Sequence, residues 1–470
     1  MSSRNVLLVN TNRMRPAIGP LALDYIGAAL RSAGWQVSIL DLCWAEEPAK
    51  DISSALGSER PVAVAVTFRN TDDCYYASGR SFVGILRDDI QRIRHTYDGP
   101  VIVGGCGFST MPRLLLDHVG AEFGVRGDGE IALLQFLRAL HGNETMENVP
   151  GLIYRSGGAW RDNGLAVSDL SAFDLSDRNV VDNRRYFATG GQAGIETKRG
   201  CPHSCIYCAE PVVKGRKSRL RAPAEIVREV RGLLSRGIDC FHTCDSEFNV
   251  PISHAFAVCE ALIDAGLGDR ISWYAYATPS PFPPELGASM KRAGCVGIDF
   301  GVDSGCDRIL TALQRHFDAS CLASTANACR RYGIAFMYDL LLGGPNETRQ
   351  TVAATIDQIK RVSPDCVGIS LGVRIYGGTP LAKQLGPGIQ EGIVGDPNGL
   401  QPYFYMSPKL GEDPEGLVRD LIGHDPRFFL PGGGDNQDYN YNDNQLLERA
   451  IGDGYRGAYW DILRKFHQGE

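Results

Sequence analysis

Two stretches of the chain share one pattern of apolar and polar positions. In the first 150 residues, short apolar runs alternate with segments whose apolar residues recur every three or four positions. Val6-Leu7-Leu8-Val9, Val37 to Leu42, Val62 to Phe68, Val101 to Gly105 and Phe123 to Gly127 predict buried strands. Leu21 to Ala33 and Ser81 to Arg94 predict amphipathic helices between them. Such alternation implies an α/β unit, a doubly wound, Rossmann-like parallel sheet covered on both faces. Gly151 to Gly158 reads as a hairpin, and an Asp-rich connector follows to about Arg185. From Ala193 the pattern resumes, with strands predicted at Gly194 to Lys198, Ile238 to Cys244, Ile271 to Ala277, Val296 to Val302, Phe336 to Gly343 and Val367 to Val373. Helical segments such as Ala222 to Ser235, Ser253 to Ala265 and Thr348 to Val362 separate them, which fits a partial (β/α)6 barrel of TIM type. The expected domains are 1–150, a linker with a hairpin at 151–190, the barrel at 191–380 and a small α/β cap at 381–470.

The stretch that carries chemistry is Cys201-Pro202-His203-Ser204-Cys205-Ile206-Tyr207-Cys208, just past the strand and turn ending in Arg199-Gly200. Three thiols at C-x3-C-x2-C spacing can wrap one soft metal centre and leave it one ligand short. A 4Fe–4S cluster held by three thiolates keeps an iron open for an outside ligand. A structural zinc site with a distant fourth ligand is the alternative, but no second Cys pair stands at zinc-ribbon spacing. Fourteen cysteines with only one cluster among them point to a reducing, cytoplasmic setting, not a disulfide framework. A net charge of −7 over 470 residues leaves no footprint for nucleic acid. No apolar run reaches membrane-spanning length, and Met1-Ser2-Ser3-Arg4 leads into a strand and not a signal peptide.

With Tyr207 before its last cysteine, the motif resembles the radical S-adenosylmethionine (SAM) superfamily, in which the amino and carboxylate groups of SAM chelate the open iron. The resemblance implies a SAM site at the carboxyl ends of the barrel strands. Glu247, in Asp245-Ser246-Glu247-Phe248-Asn249, falls where the family contacts the methionyl amine. Gly301-Val302-Asp303-Ser304-Gly305 looks like the family's Gly-x-Glu-Ser-Gly element, with Asp303 replacing glutamate beside Ser304. Gly343, in Leu342-Gly343-Gly344, falls near the adenine, and Glu347 either touches SAM or caps the next helix.

The first half resembles the cobalamin-binding domain of cobalamin-dependent radical SAM enzymes. Gly104, Gly105, Gly127, Gly129 and Glu130 match positions lining the nucleotide-tail cleft, and Asn12, Arg69, Asn70, Asp72, Phe108 and Ser109 complete the candidate set at the strand ends. No G-x-G-x-x-G turn supports a nicotinamide cofactor. The Asp-x-His-x-x-Gly signature is absent, and His95, His118 and His141 read as surface residues on helices, so cobalt is expected without a protein histidine. Arg69 is the candidate for its lower side; alternatively it pairs with Asp72 or Asp73 on a solvated loop. The Tyr455 to Trp460 segment resembles the tail of C-methyltransferases related to the tryptophan methylases of peptide-antibiotic pathways.

The expected function is methyl transfer from SAM through cobalamin to a carbon of a small molecule, amino-acid-derived or a natural product and with aromatic character. A flavodoxin or ferredoxin would supply electrons. A radical cyclase without methyl transfer and a cobalamin or redox sensor are the competing readings. Other features have plainer alternatives. Cys240, His242 and Cys244 share a strand face, as core or as a second metal site. Lys214 to Arg221 is a solvated basic loop or steers an anion. Trp273, Tyr274 and Tyr276 flank the substrate where they face inward. The aromatics after Tyr403 form either a substrate pocket or the core of the cap, and Gly432-Gly433-Gly434 reads as a loop.

Overall fold

A computed structural model describes residues 4–386, 391–397, 399–431 and 440–469. The Gly432-Gly433-Gly434 run, Tyr439 and Met1 to Ser3 lie outside them. The first sheet contains β1 (Asn5–Asn10), β2 (Gln36–Asp41), β3 (Ala63–Thr67), β4 (Val101–Gly104) and β5 (Phe123–Val125), all parallel in the order β2-β1-β3-β4-β5. Every residue of β1 is buried, as a central strand covered on both faces requires. The hairpin β6 (Leu152–Ser156) and β7 (Ala159–Asp162), placed by the sequence in a linker, instead extends this sheet antiparallel from β5.

The second sheet holds the six predicted barrel strands in sequential parallel order: β8 (Ala193–Ile195), β9 (Cys240–Thr243), β10 (Ser272–Ala277), β11 (Cys295–Asp303), β12 (Ala335–Leu342) and β13 (Cys366–Leu371). A two-residue β14 (Phe428–Phe429), too short to leave a sequence signal, pairs with β13 at the open edge. Ile298, Phe300 and Val302 of β11 alternate outward into the core beneath the helices. Inward, Cys240, Tyr274, Met337 and Cys366 pack against helices Gln445–Gly452 and Tyr459–Gln468. The Tyr274 hydroxyl donates to Asp461 at 2.7 Å, and the Trp460 ring meets the Tyr274 ring edge-on. Tyr459 and Trp460 are thus barrel core. The C-terminal segment closes the barrel at its open edge and plugs the inside near the start of the strands.

The carboxyl ends of the two sheets face each other, and buried ion pairs fix that arrangement. Arg374, past β13, reaches Asp72, past β3, at 2.7 Å, and Cys74 Sγ lies 3.1 Å from the Tyr376 hydroxyl. Arg199, past β8, meets Asp128 at 3.0 Å and Glu130 at 2.9 Å, both past β5, and Glu196 at 2.8 Å. Farther back, Arg178 joins Asp24 and Glu229 at 2.8 Å each. Charges buried this deeply are tolerated only when paired, so they fix orientation even where their net stabilisation is small. No helix among the described residues is long and apolar enough to cross a membrane.

Candidate functional site

The cysteine loop begins at Gly200, whose φ of +87° and hypothetical Cβ 2.5 Å from the Lys217 carbonyl oxygen exclude a side chain. Cys201 N–H donates to Gly215 O at 3.2 Å, Ile206 N–H to Leu313 O at 3.1 Å and Cys208 N–H to Cys205 O at 3.2 Å. The loop is therefore held by its backbone and the three thiols remain available; all fourteen cysteines are free. Burial pushes Cys201 up to about 11 and Cys208 up to about 12, and raises Cys205 as well, so ligation has to displace a proton from each. Among the described residues no set of three or more His, Cys, Asp or Glu surrounds a single-ion position, so the zinc alternative lacks a closed donor set.

Around the thiols, Arg315 is the organising residue. Its Nη1 donates to Cys205 Sγ at 3.2 Å and to the Tyr207 hydroxyl at 3.3 Å; its Nε lies 3.3 Å from Asp303 and Nη2 3.7 Å from Glu247. Tyr207 in turn donates to Asp303 at 2.5 Å. Asp303 sits at a register shift ending β11 with φ of +62°, which turns its short carboxylate toward this pair. Glu247 is buried, and its Oε2 has no partner. Desolvation raises its carboxyl to about 7, against the pull of Arg315 and Lys198. An unpartnered buried carboxylate oxygen beside three free thiols fits a cationic ligand group such as the SAM amine.

Other expected SAM contacts are structural. Ser304 is buried, with its hydroxyl 2.9 Å from that of Thr355 and accepting from Cys306 N–H, so it faces the protein and not a ligand. Glu347 accepts from Gly343 and Gly344 N–H at 2.5 and 3.0 Å, while Thr348 caps the helix in a capping box. Gly343 has φ of +95°, and a Cβ there would lie 2.7 Å from Met406 Sδ. Arg315 and Lys198 escaped sequence reasoning because neither lies in a motif. Arg315 follows a short helix, and Lys198, whose buried side chain has no hydrogen bond or ion pair among the described residues, is one polar residue at a strand end. Nothing in the polar run Glu196-Thr197-Lys198-Arg199 sets Lys198 apart in the sequence.

On the other sheet, Asn12, Arg69 and Asn70 line an open cleft at the ends of β1 and β3, with non-atom space of about 510 Å³. Arg69 pairs with neither Asp72 nor Asp73; its Nη1 approaches Met14 Sδ at 3.1 Å, and its charge acts on Cys244, Tyr276 and Tyr459 across the gap. Asn12 Nδ2 is buried without a partner, a donor suited to a polar ligand atom. Four of the expected contact residues have protein partners or are buried. Asp72 is held by Arg374 and Glu130 by Arg199, Phe108 is fully buried in the sheet's core, and Ser109 Oγ bridges Gly105 O and Gly127 N at 2.9 and 3.1 Å. The glycines serve the fold as well: a Cβ on Gly105 would lie 2.5 Å from Phe68 O, on Gly127 2.3 Å from Ala166 O, and on Gly129 2.5 Å from Ile26 Cδ1, whereas Gly104 has room.

The basic run divides: Arg216 and Lys217 are exposed, while Lys214 pairs with Glu210 at 3.2 Å, Arg219 with Asp128, and Arg221 with Glu229 at 2.6 Å. Cys240 is core, while the His242 ring meets that of Tyr276 at a tilt of 48° with centroids 4.5 Å apart. No second metal site forms there among the described residues.

Family models agree with this division. The model of the radical SAM superfamily matches residues 195–359, and that of the B12 binding domain matches residues 9–137. A tryptophan 2-C-methyltransferase from Streptomyces laurentii is 29% identical, over 97% of this chain and 95% of its own. The solved structure of a radical SAM methyltransferase, TsrM from Kitasatospora setae, with tryptophan and aza-SAM bound, is 31% identical. It superimposes with a TM-score of 0.93 over 99% of this chain and 98% of its own. OxsB, a cobalamin-dependent SAM radical enzyme, shares the fold at 16% identity and a TM-score of 0.62, over 77% of this chain and 52% of its own.

Proposed function

The chain belongs to the radical SAM methyltransferases that carry a B12-binding domain, and from that premise we propose that it methylates a ring carbon of tryptophan or of a close indole amino acid. The reaction class is cobalamin-dependent C-methyl transfer, with a 4Fe–4S cluster and SAM as the other cofactors. The substrate assignment is carried by one observation: end-to-end likeness to a methyltransferase solved with tryptophan in place.

Cys201, Cys205 and Cys208 would hold the cluster. Glu247, with Asp303 and Tyr207 steadied by Arg315, would hold SAM against the Gly343 turn. Asn12, Arg69 and Asn70 would hold the corrinoid beside the turns at Gly104-Gly105 and Gly127 to Gly129. When bound, the corrinoid supplies a nucleophilic metal centre that relays methyl, and the cluster supplies an electron drawn from a flavodoxin- or ferredoxin-class donor. The chain's own residues do the rest. Arg69 stays protonated and offers no lone pair, so it positions without coordinating. The Tyr459-Trp460 plug closes the chamber from below and keeps water from the reacting groups. The fourteen free thiols suit a reducing cytoplasm.

The test is anaerobic turnover of the reconstituted enzyme with trideuteromethyl-SAM and tryptophan. Label on a ring carbon of the product is expected. Deoxyadenosine with an unlabelled, rearranged product would replace the proposal with cyclase chemistry, and the absence of any SAM-derived product would replace it with a sensing role.

A further inference from the structure

Between the C-terminal plug and the cluster lies a single layer of polar side chains. Along the inner face of β11, Gly297 packs on Tyr274 and Trp460 of the plug, Asp299 comes next, the Gly301 carbonyl then receives Arg315, and Asp303 binds Tyr207. Asp299 is therefore one step above the plug and one below the cluster level. Tyr276 lies opposite it on β10, and Asp339, two residues past its β12 partner Met337, stands on the same face one step nearer the cluster. His242 on β9 completes the layer.

Two independent observations mark this layer as built for a ligand. The Asp299 side chain is buried yet has no hydrogen bond or ion pair among the described residues, and its Oδ1 is enclosed without a partner. His242 is 8% exposed and uses Nδ1 on the Thr243 carbonyl, which leaves Nε2 without a hydrogen bond among the described residues, and its ring lies 4.5 Å from that of Tyr276, centroid to centroid. Tyr276, 46% exposed, shows that the layer opens on a space. Burial, and then the Asp339 carboxyl, raise Asp299 far above the usual carboxylate range, as two carboxyls sharing a site do.

We infer that Asp299, with Asp339 beside it, receives the ammonium group of the substrate. The enzyme then selects a primary amine on an aromatic amino acid, and not the indole ring alone. An ammonium brings three donors and the missing charge to a buried carboxylate that has neither. The inference rests on the indole amino-acid reading above.

The test compares tryptophan with indole-3-propionate, which lacks the amine, on holoenzyme of verified iron and cobalt content. Wild type should favour tryptophan by about 10- to 100-fold in kcat/KM, the scale of one charge-assisted contact. Asp299→Asn should raise KM for tryptophan by a similar factor, leave kcat at saturation and KM for indole-3-propionate near wild type, and so erase the preference. Asp339→Asn should act in the same direction, and it carries the test if the first variant does not fold. Equal use of the two indoles by wild type, or an equal loss on both in the variants, overturns the inference and leaves the function standing. If neither indole is methylated, the substrate reading fails. Calorimetric binding of tryptamine to wild type that is lost in Asp299→Asn would still support an amine site, and unchanged binding would overturn it.

Discussion

Arg199 stands two residues before the first cluster cysteine and reaches across to the turn after β5, so replacing it tests whether the two cofactor-binding halves are held in register. Its side chain is 8% exposed, and it faces three carboxylates more deeply buried still. In Arg199→Met, Asp128 keeps Arg219 and Glu196 keeps Lys214 at 3.8 Å, but Glu130 loses its only cation among the described residues. One stranded buried carboxylate costs about 3–5 kcal/mol. In a domain of this size that is a fall of roughly 10 °C in Tm. Thermal unfolding of the anaerobically purified chain reads it, with iron, sulfide and cobalt assayed beside it, because the same break frees the cysteine loop and the β5 turn. Glu130→Gln in the Arg199→Met background removes the stranded charge and should restore about 1–3 kcal/mol. A single variant that loses less than about 1 kcal/mol, the scale of a surface pair, or a double variant no better than the single, would refute the reasoning.

Cys205→Ser should abolish cluster absorbance and methyl transfer while leaving cobalamin binding intact, read from iron and cobalt content of one preparation. Asp72→Asn should lower Tm by several degrees, because Arg374 then keeps a buried charge facing a neutral amide; an unchanged melt would contradict that. Burial raises the Glu347 carboxyl to about 7 from its ordinary 4.5, so the native state binds that proton more tightly than the unfolded chain. Its contribution is full below about pH 4.5 and is lost as pH rises through about 7. Glu347→Gln, which keeps an acceptor for Gly343 and Gly344, should flatten part of the fall in Tm between about pH 5 and pH 8, as pH-stepped melts of the cofactor-free chain will show. Arg69→His offers cobalt a lone pair, so the bound corrinoid's visible spectrum should shift and turnover should fall; an unchanged spectrum with unchanged turnover rejects Arg69 as the residue beneath cobalt.

Both sheets were legible in the sequence because buried parallel strands are continuous apolar runs: Val62 to Phe68 and Val367 to Val373 lie within a residue or two of β3 and β13. The cysteine loop was legible because its spacing is its chemistry. Two-residue β14 left no signal, and the 151–158 hairpin could be seen but not its partner, since register across a sheet is not written locally. For the site the limit was direction. Asp72, Glu130 and Ser304 stand at strand ends, where ligands bind, yet each faces a protein partner distant in sequence: Arg374, Arg199 and Thr355. Arg315, Lys198 and Asp299 were missed for the converse reason. A single charged residue on a strand or after a helix is ordinary in sequence; what sets these apart is three-dimensional, the partners gathered around Arg315 and the burial of Lys198 and Asp299.

The central claim is that the corrinoid site and the cluster site open on one chamber. Pulsed electron paramagnetic resonance on anaerobic holoenzyme, with cobalt held in its paramagnetic divalent state and the cluster reduced, tests it most directly. The account predicts dipolar coupling between the two centres that strengthens or shifts when tryptophan is added. Two independent signals, each unchanged by filling or emptying the other site, would contradict it.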